Sequence, residues 1–166
     1  MRVGLIADTH GLLRPEAVSA LVGVDVILHA GDVGDPVVLE RLRDLAPVEA
    51  VRGNVDEPAA VRRSRRRNAP DPEWAAALPE RLERELGGTR VLMLHALQDL
   101  SGAPPPGVRV VVAGHSHRPR VESRDGILYV NPGSAGPRRF RLPVTVGMLW
   151  VDPATAPRAE ILELLG

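Results

Sequence analysis

Five short apolar runs in this chain each stop at an aspartate, an asparagine or a histidine, and that recurrence limits the folds open to it. Arg2–Ala7 is followed by Asp8-Thr9-His10, and Asp25–His29 by Gly31-Asp32. Val48–Val51 leads to Gly53-Asn54-Val55-Asp56, Thr89–Leu94 to His95, and Val108–Ala113 to Gly114-His115-Ser116-His117. Short runs rich in Val, Ile and Leu read as buried strands. Between the first three, Pro15–Val22 and Pro36–Leu45 read as helices, each opening on proline, whose missing N–H costs nothing in a first turn. Strand–helix–strand alternation predicts parallel strands with right-handed crossovers. The loops at the carboxyl ends of such strands converge on one crevice. Asp8, His10, Asp32, Asn54, His95, His115 and His117 are therefore expected in one place.

The second half is richer in strands. Leu82–Leu86 and Thr89–Leu94 flank Gly87-Gly88, a hairpin signal. Arg120–Ser123, Gly126–Val130, Val144–Val151 and Ala159–Leu164 read as further strands, the first two joined at Asp125-Gly126. Glu57–Ala77 shows no regular pattern, and Ala103–Gly107 is a stiff proline connector. The fold class is α/β: one domain over residues 1–166, with two mixed sheets packed together and helices outside.

Composition narrows the chemistry. The chain has 166 residues, 44% of them hydrophobic, with 21 basic residues balancing 21 acidic ones. That balance gives no global field for nucleic acid or membrane. All 21 basic residues are arginine, so no lysine nucleophile is available, and the absence of cysteine removes thiolate catalysis and cysteine zinc sites. No apolar run is long enough for a signal peptide or a membrane span, and a cytoplasmic protein is expected.

Taken alone, each polar cluster has an ordinary reading: Gly-Asp and Gly-Asn-x-Asp are turn sequences, and a histidine at a strand end is commonly a satisfied polar group. Jointly they form a donor set too large for one structural zinc, which closes its shell with four ligands. The set suits two divalent ions bridged by a carboxylate. Mixed imidazole and oxygen donors favour Mn²⁺, Fe²⁺, Ni²⁺ or Zn²⁺ over Ca²⁺ or Mg²⁺. His29 sits inside an apolar strand and reads as structural, or as support for the ligands.

The ordered series Asp8-x-His10, Gly31-Asp32, Gly53-Asn54-x-Asp56, His95, Gly114-His115-x-His117 resembles that of the calcineurin-like metallophosphoesterases. Within them the chain is most similar to small bacterial and archaeal phosphodiesterases, relatives of the retromer's vacuolar-sorting subunit, and Asn131-Pro132-Gly133-Ser134 fits that subgroup. The resemblance implies a four-layer α-β-β-α sandwich. It implies one metal held by Asp8, His10, Asp32 and His117, and a second by Asp32, Asn54, His95 and His115. Asp32 would bridge the two, and a hydroxide between the ions would attack phosphorus. Asp32, Asn54 and His95 are the catalytic candidates, with Mn²⁺ the expected ion and Ni, Fe or Zn the alternatives. A small phosphodiester or nucleotide-like compound is the expected substrate. A catalytically silent scaffold that binds protein partners, a nuclease and a homo-oligomer remain open.

Three features depart from the pattern or extend it. Val55 occupies a slot where some members, the break-repair nuclease among them, carry a histidine that protonates the leaving group. Ala96 follows His95 where the family has glycine, so a left-handed backbone there would be strained. Arg62–Arg67 follows the Asn54 loop; Arg65 and Arg66 are candidate phosphate contacts, beside the alternative of a solvated loop or a partner for Glu80–Glu85. Asp56 joins His29 as a candidate for support or substrate contact. Arg138, Arg139 and Arg141 read as an exposed loop, and Ser134 as a turn residue. The aromatic residues number only four, which counts against base stacking on a long single strand.

Overall fold

The computed structural model describes residues 1–63, 73–139 and 141–165; Arg65 and Arg66 lie outside the described residues. β1 (Arg2–Ile6), β2 (Val26–His29) and β3 (Val48–Ala50) run parallel, joined by α1 (Pro15–Ala20) and α2 (Pro36–Arg43). β9 (Val144–Trp150) lies antiparallel to β1 and pairs with β10 (Arg158–Leu165), giving the order β10-β9-β1-β2-β3. The second sheet holds β4 (Arg81–Leu86), β5 (Thr89–Leu94), β6 (Val108–Val112), β7 (Arg120–Arg124) and β8 (Ile127–Asn131), ordered β4-β5-β6-β8-β7. Its three central strands are parallel, and β4 and β7 are antiparallel edges.

Local chemistry sets these elements. Pro36 opens α2, the Asp35 carboxylate accepts the Val37 N–H at 2.9 Å, and Arg41 and Arg43 sit in the last turn, where the helix dipole favours positive charge. Gly87-Gly88 and Asp125-Gly126 both have two successive positive φ angles, the condition for a two-residue type I′ hairpin whose twist matches its strands.

Between the sheets, Val3, Leu5 and Leu28 from the first meet Val91, Met93, Val110, Val112 and Val130 from the second. The outer face of the first sheet buries Ile6 and Ile27 under Ala17 of α1, Leu21 just past its end, and Val38 and Leu42 of α2. On the outer face of the second, Leu92, Leu94, Val108 and Val111 pack with Leu100, from the segment that carries a 3-10 turn at Leu97–Asp99 and the proline connector. The α/β sandwich of two mixed sheets is as expected from the sequence.

The stretch read as irregular contains α3 (Pro58–Arg63) and α4 (Glu73–Ala76). They escape the sequence pattern because neither is long enough to show a repeating apolar face, although Val61 and Ala75 are buried. Among the described residues, no helix is long and apolar enough to cross a membrane.

Leu28 is 1% exposed in the layer between the sheets, whereas Leu12 is 39% exposed. Leu28→Ala should lower unfolding free energy in urea by about 2–5 kcal/mol, and Leu12→Ala by less than about 0.5 kcal/mol.

Candidate metal centre

The carboxyl ends of β1, β2, β3, β5 and β6 all deliver their polar residues to one edge of the sandwich. Asp8, His10, Asp32, His115 and His117 have φ of 54°, 47°, 54°, 69° and 57°, and only Asp125, in its hairpin turn, joins them among described non-glycine residues. That left-handed conformation costs an L-residue about 1–2 kcal/mol, and Asp and His tolerate it better than most. Surrounding bonds hold the strained loops. Asp8 N–H donates to Gly31 C=O at 3.0 Å, His10 N–H to Asp32 C=O at 2.9 Å and Gly11 N–H to Val33 C=O at 2.7 Å, so the first two loops continue as a ladder beyond their strands.

Their side chains form two adjoining clusters. Asp8, His10 and His117 place ligand atoms within 4.8 Å of one another, and so do Asp8, Asp32 and His95. His10 Nε2 is 3.4 Å from His117 Nε2, and His117 Nε2 is 3.3 Å from Asp8 Oδ1. Asp32 turns one oxygen to each side, with Oδ2 3.7 Å from His10 Nε2 and Oδ1 3.4 Å from His95 Nε2. His115 Nδ1 lies 3.3 Å from His95 Nε2. Because both residues of the His115-x-His117 pair are left-handed, the chain does not stay extended: His117 enters the first cluster, and His115 stands exposed beside His95 of the second.

These distances suit a shared cation. Donor atoms about 2.0–2.1 Å from one ion stand roughly 3.0–3.4 Å apart. Asp8 Oδ1 is buried and receives no hydrogen bond, an orphan that a cation would satisfy. His95 Nδ1 carries a proton toward the Ala30 carbonyl at 2.8 Å, which turns Nε2 toward Asp32. Titration carries the same signature. Burial pushes Asp32 up, but the His95 hydrogen bond and charge and the Val55 N–H overcome it, leaving the carboxyl at about 2. Burial lowers His95, but Asp32 outweighs it and raises the imidazole above its ordinary value. Burial lowers His10 against the pull of Asp32, with Arg139 adding to the lowering from the exposed loop at the rim.

Asn54 is exposed on the same rim and shares a cavity wall with His95. Asp56 is buried away from the opening, where Oδ2 accepts N–H bonds from Val33 and Gly53 and Oδ1 accepts one from Gly34. It ties the second loop to the third. Gly53 is required there, since a Cβ would stand 2.2 Å from Asp32 Oδ1. Ala96 has φ of −115°, so alanine in the glycine slot carries no left-handed strain. Glu80 and Glu83 pair with Arg52, Arg81 and Arg90, which leaves the acidic segment with partners close by.

His29, read from the sequence as structural or supporting, has a partner in Thr9 that the sequence does not single out, and Asn131 is a second support of that kind. Thr9 Oγ1 lies 3.0 Å from His29 Nε2 and donates to Val33 C=O, while Gly31 N–H donates to His29 Nδ1. This pattern fixes the neutral Nε2–H tautomer and fastens the two ladder loops from below. Asn131 Nδ2 donates to Gly114 C=O and to Ser116 Oγ, holding the loop that carries His115 and His117. Only the position of Thr9 between two candidate ligands hints at its role. Ser134, expected in a turn, instead bridges to Val144, and its hydroxyl donates to the Asp8 carbonyl at 3.0 Å.

Burial holds His29 at about 3. Its folded pKa is depressed below the unfolded value of about 6.5, so its contribution is complete above that pH and is lost as pH falls toward 3. Metal-free protein should therefore lose stability on acidification from about pH 6.5. His29→Leu should flatten that slope in urea titrations across the same window, even though it removes the Thr9 contact.

A family model described as "Calcineurin-like phosphoesterase superfamily domain" matches residues 1–153. A probable metallophosphoesterase from Methanothermobacter thermautotrophicus is 34% identical over 157 residues, covering 92% of this chain and 87% of that protein. Among solved structures, a novel archaeal phosphodiesterase is similar with a TM-score of 0.70 and 23% identity, covering 98% of this chain and all (100%) of that one. Vacuolar protein sorting 29 from Cryptosporidium parvum is similar with a TM-score of 0.69 and 21% identity, over 98% of this chain and 97% of that one.

Proposed function

The chain belongs to the calcineurin-like phosphoesterase superfamily, and from that premise we propose that it is a phosphodiesterase working on a dinuclear metal centre. The observation that carries this reading is the division of Asp32: each carboxylate oxygen addresses a separate group of imidazoles. Asp8, His10, Asp32 and His117 would hold one ion, and Asp32, Asn54, His95 and His115 the other. Divalent ions bound there, Mn²⁺ foremost, supply charge neutralisation for phosphoryl oxygens and lower the pKa of water.

The protein's own groups do the rest. The ladder between the first two loops fixes Asp8, His10 and Asp32 before any ligand arrives, so no reorganisation is needed during reaction. Ala30 holds the His95 tautomer, and Asp8 Oδ2 accepts the His115 N–H at 3.1 Å. A water gives up one proton to solvent, its oxygen bonds to phosphorus as the phosphorus–oxygen bond to the leaving group breaks, and the departing oxygen takes a proton from solvent. Val55 cannot supply that proton: its N–H is bonded to Asp32 Oδ1 at 3.0 Å and its side chain is apolar and 36% exposed at the site. Phosphodiester preference is supported by the likeness to an archaeal phosphodiesterase, and the grouping of Asp8, His10, Asp32, His95 and His117 favours catalysis over a purely protein-binding role.

Metal-stripped protein should gain hydrolysis of bis(4-nitrophenyl) phosphate on addition of Mn²⁺, with 4-nitrophenyl phosphate cleaved more slowly, and Asp32→Asn should return the rate to that without metal. A preference for the monoester would make it a phosphatase. No turnover of either ester with metal bound would favour the protein-binding reading. Because general acid assistance is worth about 10²–10⁴-fold, Val55→His should raise the rate at least about tenfold for diesters with alkyl leaving groups and leave 4-nitrophenyl leaving groups nearly unchanged. Equal effects on both classes would contradict the role given to position 55.

A further inference from the structure

Two hollows flank the clusters, and their chemistry differs. One, of about 360 Å³, lies beside His95 and Asn54 and is walled by Arg52 and Arg81 against Glu57, Glu80 and Asp99. Carboxylates outnumber guanidiniums there, and Arg52 is already engaged by Glu57 and Glu80. The other, of about 310 Å³, opens beside His115 and Ser116 and runs along the outer face of the second sheet. Strand register builds its floor: Val111 pairs with Tyr129, and Tyr129 with Glu122, so these three side chains share one face. Ala113 extends that floor toward His115, and Leu97 forms a lip with Gln98 beside it. The Arg124 guanidinium lies 4.3 Å over the Tyr129 ring centroid and makes a flat wall. Arg118, Arg120 and Arg124 line the hollow with one carboxylate, Glu122, which pairs with Arg120 and Arg124.

Building on the phosphodiesterase reading, we propose that this second hollow is the subsite for a nucleoside carried as one ester group of the diester. A flat apolar floor with an amide and a hydroxyl on its rim matches a planar base with polar edges, and its positive rim suits a group attached to an anionic phosphate. The occupant follows from continuity, because His115 lines this hollow and its Nδ1 lies 3.3 Å from His95 Nε2 of the second cluster. The opposite hollow, with its surplus of carboxylates, repels the same anion.

The test compares two diesters of equal charge with the same leaving group, thymidine 5′-(4-nitrophenyl phosphate) and methyl 4-nitrophenyl phosphate. The expected kcat/KM ratio favours the nucleoside diester by about tenfold, through KM. Leu97→Glu, at an exposed position where folding is not at stake, and Tyr129→Ala should each bring that ratio near unity. A second readout needs no turnover. Tyr129 is the chain's only tyrosine, so nuclear Overhauser effects from its ring to the base protons of thymidine 5′-monophosphate report occupancy directly. Equal kcat/KM for the two diesters, a ratio unmoved by both variants, or no transfer from Tyr129 at saturating nucleotide would overturn the subsite. Loss of all turnover with that transfer intact would instead sink the phosphodiesterase reading and leave the nucleoside site standing.

Discussion

Everything at the candidate metal centre depends on five aspartates and histidines held in a backbone conformation that L-residues avoid. Asp8, His10, Asp32, His115 and His117 all have positive φ angles, so the loops that carry them leave the extended path of their strands, along which His115 and His117 would point the same way. The cost of about 1–2 kcal/mol for each residue is offset by inter-loop hydrogen bonds that leave the chain no alternative path. Asp8, His10 and Gly11 donate across to Gly31, Asp32 and Val33, and the His29–Thr9 pair closes the ladder beneath them. Strain concentrated at the candidate ligands, and at only one other described non-glycine residue, marks the site as the place the fold is built around.

The sandwich makes that concentration affordable. Each sheet places three parallel strands side by side, so their carboxyl ends open on the same edge and the loops need to span little distance. Large side chains between the layers, Leu5, Leu28 and Met93 among them, are almost wholly removed from water and anchor the loops at their roots. Close approach does the rest. A side chain at Gly53 would collide with Asp32, and one at Gly136 would stand 2.2 Å from the Thr9 carbonyl, so these positions let separate loops pack onto the ligands.

Much of this was legible in the sequence, for physical reasons that can be named. Buried parallel strands need continuous apolar runs, and a polar residue can appear only where such a run ends, so the loop candidates and their convergence followed from pattern. The hairpins followed from Gly87-Gly88 and Asp125-Gly126, whose residue types match the angles that their turns require. Other features leave no such trace. α3 and α4 are one to two turns long and hide in a proline- and arginine-rich stretch. The conformation at residue 96 cannot be read from residue type: alanine suggested strain, and the backbone there is simply extended. The divergence of His115 and His117 depends on backbone angles rather than spacing. The Asn131 bonds to the Gly114 carbonyl and Ser116 join residues far apart in sequence, which no local pattern encodes.

The central claim is that these loops hold two metal ions on either side of Asp32. Anomalous diffraction from crystals equilibrated with Mn²⁺, recorded on both sides of the manganese edge, tests it most directly. The account predicts two peaks, one among Asp8, His10 and His117 and one beside His95, with the Asp32 carboxylate between them. A single peak, or manganese bound away from Asp32 while the loops stay ordered, would contradict it.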